Sequence, residues 1–236
     1  MSEIIDQQGS YTKEISREFF KNVYSYMFGA LAISGILASY CGNEAFFLKY
    51  FMSQDGGISP LFWVVAFAPL GLGLIIQKAY QKLSYGLLLG LFVLYSALMG
   101  VSLSVIFLVY ALPTLASTFF VTAGAFAGMA ILGYTTKTDL TKMGSMLYMV
   151  FIGIFIAGIV NIFMQSDTMG FIISVLGVFV FTGLTAYHMQ QLKQISQDSS
   201  MDTMTRQKLS LIGGLTLYIL FVNLFLSLLR LVGGRD

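Results

Sequence analysis

The chain offers little for metal or covalent chemistry: its 236 residues include one histidine, His188, and one cysteine, Cys41. A lone cysteine makes neither an internal disulfide nor a Cys-based zinc site. A lone histidine makes none of the His-paired metal sites. No metal and no cofactor are therefore expected. The signatures HExxH, GxSxG, the P-loop and GxGxxG are absent. A Ser–His hydrolase would use His188 as its base, but no nucleophile motif accompanies it, so an enzyme is not expected. The eleven acidic residues all stand outside six uncharged runs, 22–43, 56–77, 83–136, 143–166, 168–192 and 209–229. A carboxylate inside such a run would be the usual mark of a proton or cation pathway, and none is present.

The chemistry left inside the runs is that of hydroxyls, amides and one imidazole. In the last run Thr216, Leu220, Asn223, Ser227 and, just beyond it, Arg230 step by four and three and share one helical face. Asn223 and Arg230 are costly to expose to lipid, so this stripe is expected to face an interior, with Asn223 hydrogen-bonded to another helix. In the preceding run Gly170, Ser174, Gly177, Phe181, Thr185 and His188 also share a face. The two stripes read either as interhelical hydrogen bonds, each worth less than ~2 kcal/mol, or as the lining of a solvated cavity.

The elements that carry these residues are membrane helices. Hydrophobic residues make up 57% of the chain and charged ones only 10%, against about 25% charged in soluble domains. A water-soluble globule and a disordered chain are excluded, and a net charge of +2 gives no footprint for nucleic acid. A membrane helix needs roughly 20 apolar residues. The 54-residue run 83–136 is long enough for two, divided at Pro113 into helices near 84–110 and 112–133. The fold class is thus all-α, a polytopic bundle of seven transmembrane helices. Strands of an outer-membrane barrel would be half as long and would alternate strictly.

Basic residues set the expected orientation. Lys13, Arg17, Lys21, Lys78, Lys82, Lys137, Lys142, Lys193, Arg206 and Lys208 fall on one side, and Lys49, Arg230 and Arg235 on the other. The N-terminus is expected in the cytoplasm and the C-terminus outside. The domain reading is a cytoplasmic tail, 1–21, followed by one transmembrane domain, 22–236. The tail segment 10–21 reads as a short interfacial helix or a simple polar tail. The aromatics of the 41–59 loop read as an interfacial anchor. The polar stretch 190–208 reads as the longest loop, a cytoplasmic connection that serves as a mobile lid or as a tether. Gly86 and Gly90, and Gly124 and Gly128, form GxxxG pairs that suit helix packing within one bundle or homo-oligomerisation.

Three segments resemble the Bax inhibitor family of integral membrane proteins. They are GYTTKTDLTKMG at 133–144, which contains Lys137 and Asp139, FTGLTAYHMQ at 181–190, and LYILFVNLFLSLLRLVG at 217–233. The family patterns for the last two are FxxLTAYDxQ and LYLDFxNLFLxLLR. The resemblance, of bacterial type, covers essentially the whole chain. It implies a bundle whose last helix is wrapped by the other six. It also implies a passive, pH-sensitive calcium leak and a cytoprotective or proteostatic role in a bacterial inner membrane, with a membrane-bound AAA protease as partner in bacteria. In leak members two aspartates share a proton and sense pH. Here their positions are His188 and Leu220, which become the expected pH-sensor and gate positions. The basic partner at the end of the second helix is reduced to Lys78 or Lys82. The resemblance therefore carries the fold and the positions but not the paired carboxylates.

Two functions follow. One is an ion leak protein gated at the contact of the sixth and seventh helices, with His188 a modified pH-sensitive element that is neutral at pH 7 and bonded to a neighbouring helix. The other is a non-conducting regulator that binds a membrane-bound quality-control protease or other membrane proteins, with residues 1–21 as the contact.

Overall fold

The computed structural model describes residues 2–53, 55–198 and 200–233, with side chains from residue 13 onward. Arg235 and the C-terminus lie outside the described residues. Described residues form helices α1 (Ser2–Cys41), α2 (Glu44–Phe51), α3 (Pro60–Ala79), α4 (Tyr85–Leu103), α5 (Ile106–Val109), α6 (Leu112–Thr135), α7 (Thr141–Met164), α8 (Asp167–Gln197) and α9 (Thr203–Val232). Seven segments are long and apolar enough to cross a membrane, α4 and α5 together making the third. Among the described residues the only extended pairing is one antiparallel bridge, Met52 with Ile58.

Several boundaries differ from the sequence expectation. Residues 10–21 do not form a separate interfacial helix, because α1 runs unbroken through them into the first span. Phe19 in this stretch is buried. The stretch 190–208 is mostly helix. α8 continues to Gln197 and α9 starts at Thr203, leaving residues 198–202 as the connection. A polar sequence continues a helix once the helix has left the apolar layer, so composition alone reads it as loop. Asp202 begins α9 by accepting the Thr205 N–H at 3.0 Å. The 41–59 segment contains α2, whose Phe51 is buried and meets the Phe46, Phe47 and Phe62 rings edge-on at 5.5–5.8 Å.

The chain forms two compact units. Unit 1 comprises residues 1–111 and 199–218, hence α1–α5 and the first half of α9. There α1 and α4 approach closely enough that a Cβ on Gly100 would lie 2.7 Å from the Ser34 carbonyl oxygen. The first half of α9 approaches α1 as closely, at Gly214 against the Val23 carbonyl oxygen, 2.8 Å. The Ser102 hydroxyl of α4 donates to the Val65 carbonyl of α3 at 2.6 Å.

Unit 2 comprises residues 112–198 and 219–236, hence α6–α8 and the second half of α9. Its core joins Phe126 of α6 to Phe221 of α9, ring centroids 5.5 Å apart. Elsewhere on the second half of α9, the Ser227 side chain lies against Gly177 of α8. The last span is the most buried, 61% of its apolar window, and α7 is the least, 6%. Outward side chains such as Met149, Ile152 and Phe163 suit a lipid surround.

The GxxxG glycines are not the packing glycines. A Cβ on Gly86, Gly90, Gly124 or Gly128 would meet nothing within 4 Å. Packing within the bundle, one of the two roles that their spacing suits, falls instead to Gly100, Gly133, Gly144, Gly177 and Gly214.

Candidate functional site

The end of α8 organises unit 2. Two of its faces carry the contacts, one residue apart in sequence and about 100° apart around the helix. Ala186 and Gln190, one turn apart, face α6 and the α6–α7 loop. Gly183 and Tyr187, also one turn apart, face α7.

On the first face the backbones touch. A Cβ on Gly133 would lie 2.1 Å from the Ala186 carbonyl oxygen, so only glycine fits there. One turn on, the buried Gln190 side chain reads the loop backbone as a neighbouring strand would. Its Oε1 accepts the Leu140 N–H at 2.8 Å and its Nε2 donates to the Thr138 carbonyl at 2.8 Å. Lys193 closes the face, donating to the Tyr134 carbonyl at 2.8 Å and lying 5.1 Å from the centre of the Tyr134 ring. Sequence reading assigned Gln190 no role, although it closes the quoted segment 181–190. Its signal was a long amide one turn beyond Ala186, on a face that small residues open to a neighbour. Gln190→Leu leaves the buried Leu140 N–H and the Thr138 carbonyl without partners. The expected loss is about 2–4 kcal/mol, read as a lower thermal midpoint in detergent.

The loop itself is capped by Asp139. One carboxylate oxygen accepts the Thr141 hydroxyl at 2.6 Å and the Thr141 N–H at 2.9 Å. These two bonds, with a smaller contribution from Lys142, hold the Asp139 carboxyl below the usual carboxylate range. A depressed folded-state value means the cap is fully present above the ordinary range and is lost as pH falls through the lowered value. Amide protection at the start of α7 should therefore persist at pH 5 and fade only below about pH 4. Lys137 is exposed and makes no hydrogen bond among the described residues.

On the second face, a Cβ on Gly144 would lie 2.6 Å from the Tyr187 ring. His188 sits beside it, half-buried, with Nε2 2.6 Å from the Tyr148 hydroxyl of α7. This is a bond to a neighbouring helix, as expected. Its ring meets Tyr148 and Tyr187 edge-on, at 5.9 and 5.2 Å. A neutral imidazole can accept the Tyr148 O–H through Nε2, whereas an imidazolium can only donate. Among the described residues no carboxylate hydrogen-bonds to His188.

The α9 stripe behaves differently from its expectation. Leu220 is buried, 5% exposed. Thr216 donates to the Ile212 carbonyl at 2.9 Å, Asn223 to Ile219 at 2.8 Å and Ser227 to Asn223 at 2.8 Å. Each bond returns to the backbone of α9 four residues earlier. Among the described residues none of these three side chains makes a hydrogen bond to another helix, although the sequence predicts one for Asn223. Thr216 also belongs to unit 1, while Asn223 and Ser227 belong to unit 2. Arg230 is exposed in the last turn of α9, where a cation complements the helix dipole, rather than interior.

The family model described as "Inhibitor of apoptosis-promoting Bax1" matches residues 16–236. The chain belongs to the Bax inhibitor family. Three relatives match over almost their full length. Inner membrane protein YbhL of Escherichia coli K12 is 41% identical over 218 residues, covering 92% of each chain. An uncharacterised protein of Borreliella burgdorferi is 42% identical over 221 residues, covering 94% of each. A membrane protein of Streptococcus pyogenes serotype M1 is 30% identical over 225 residues, covering 93% of each. Family membership and the seven apolar helices together make this a multi-pass membrane protein.

Proposed function

We propose that the chain is a non-conducting membrane regulator, acting through contacts with other membrane proteins rather than by passing calcium. One observation carries this reading. The hydroxyls and amide of the α9 stripe spend their hydrogen bonds on their own helix, around a buried Leu220. Calcium requires six to eight oxygen ligands, carboxylates above all. An isobutyl group at 220 and an imidazole occupied by Tyr148 supply none. The leak function that the family resemblance implies lacks its ligands in this chain.

The same reading places the protein in a bacterial inner membrane with the N-terminus in the cytoplasm, supported by the basic-residue asymmetry and by the printed name of YbhL. The segment 1–21 is its contact for a partner. A membrane-bound AAA quality-control protease is the partner class the family resemblance suggests.

Calcium flux into proteoliposomes across a pH series tests the proposal. The wild-type protein should match empty liposomes at every pH. Robust flux unchanged by His188→Ala would overturn it.

A further inference from the structure

Within unit 1 the helices α1 and α9 touch at Val23 and Gly214. Toward their N-termini they enclose a cleft of about 330 Å³, lined mostly by polar side chains. Glu14 and Glu18, exposed and one turn apart, line it from α1, and Arg206 lines it from α9. Arg206 Nη2 donates to the Met201 carbonyl at 3.3 Å, a bond that helps fix the guanidinium. Neither carboxylate closes an ion pair with Arg206. The cleft thus carries opposite charges that leave space between them.

Its depth is that of a lipid headgroup. The apolar runs of the two spans begin at Asn22 and Leu209. At 1.5 Å of rise per residue, Glu18 stands about 6 Å and Arg206 about 5 Å outside them. The headgroup layer is about 5–8 Å thick on each side of the hydrocarbon core. We propose that this cleft binds the head of an aminophospholipid, a primary ammonium joined to a phosphodiester, with the ammonium at Glu14 and Glu18 and the phosphate at Arg206. Two carboxylates and one guanidinium leave the lining at a net −1, which disfavours an anionic headgroup. Lys13, Arg17 and Lys21 share a different face of α1 and do not line the cleft. A primary ammonium gives N–H groups to carboxylates in charge-assisted hydrogen bonds, whereas a trimethylammonium has none to give. The site is independent of whether the protein passes calcium.

Native mass spectrometry of the full-length protein in detergent tests this, with phosphatidylethanolamine, phosphatidylcholine and phosphatidylglycerol of matched chains as probes. Phosphatidylethanolamine should bind roughly tenfold more tightly than phosphatidylcholine, the scale of one charge-assisted hydrogen bond. Glu14→Gln combined with Glu18→Gln should bring these two lipids to parity. An unchanged affinity for phosphatidylcholine in that variant shows that its fold is intact. Arg206→Gln should weaken both lipids and keep their ratio. Equal wild-type affinities for the two, tighter binding of phosphatidylglycerol, or a preference that survives the double glutamine variant would each overturn the proposal. Glycerophosphoethanolamine, the same group without acyl chains, identifies the source. Competition at concentrations equal to the lipid's assigns the cleft to a free phosphodiester, and failure to compete assigns it to the membrane lipid.

Discussion

Gly133→Ala should leave little folded protein. The added methyl would sit 2.1 Å from the Ala186 carbonyl oxygen and 2.6 Å from the Ala186 Cα. Both atoms are backbone, so no side-chain rotation relieves the clash, and α6 and α8 must separate. Overpacking a well-filled core costs ~1–3 kcal/mol, and a backbone-to-backbone clash belongs at or above the top of that range. Separation would also pull the Thr138 and Leu140 backbone away from Gln190, adding lost hydrogen bonds to the steric cost. Gly128→Ala is the matched control on the same helix. Its methyl meets nothing within 4 Å, so the helix should gain about 0.5–1 kcal/mol from the change. Thermal midpoints of the two variants in one detergent settle the comparison. Equal midpoints would mean that α6 and α8 do not touch at Gly133.

Combining His188→Asp with Leu220→Asp should produce a calcium leak that the proposed function denies to the wild-type chain. The substitutions put carboxylates at the positions where the family resemblance implies a proton-sharing pair. Two carboxylates supply the hard oxygen ligands that calcium prefers, and such a pair titrates as a unit. Protonation removes the negative charge, so the leak should decline as the pH is lowered. His188→Asp also breaks the bond to Tyr148, and a thermal midpoint is needed to show that α7 remains docked. Flux well above empty liposomes in the double variant, and little in either single variant, is the expected pattern. A folded double variant that passes no calcium at any pH would remove positions 188 and 220 from any gate.

The spans were legible because charge is excluded from them so completely. Uncharged runs fix seven helices, and Pro113 falls in the first turn of α6, as its chemistry requires. The division of labour among the glycines was not legible. A GxxxG spacing describes one helix, whereas close approach depends on what stands opposite. Gly133 and Gly144 drew notice only as the ends of a family segment, yet both abut α8. The α9 stripe failed for a related reason. Serine, threonine and asparagine side chains bond equally to their own helix or to a neighbour, and spacing cannot tell the two apart. Gln190 was visible as a letter in the motif, but its partners lie in a loop some fifty residues away.

That separation has a consequence for how the molecule is made. Gln190 stands 50 residues downstream of Leu140, so α7 and most of α8 are synthesised before the α6–α7 turn acquires its fixing amide. Non-local contacts of this kind form late, after loop closure has been achieved. Before that, the turn has only local hydrogen bonds, those of Thr141 to Asp139 and of the Thr138 N–H to the Thr136 hydroxyl, which leave it more freedom than it has in the folded chain. Once α8 comes to lie against α6, the amide fixes the turn and ends that freedom. The clamp thus closes only after most of α8 has been made, and a chain that stalls before residue 190 lacks the amide that fixes the α6–α7 turn.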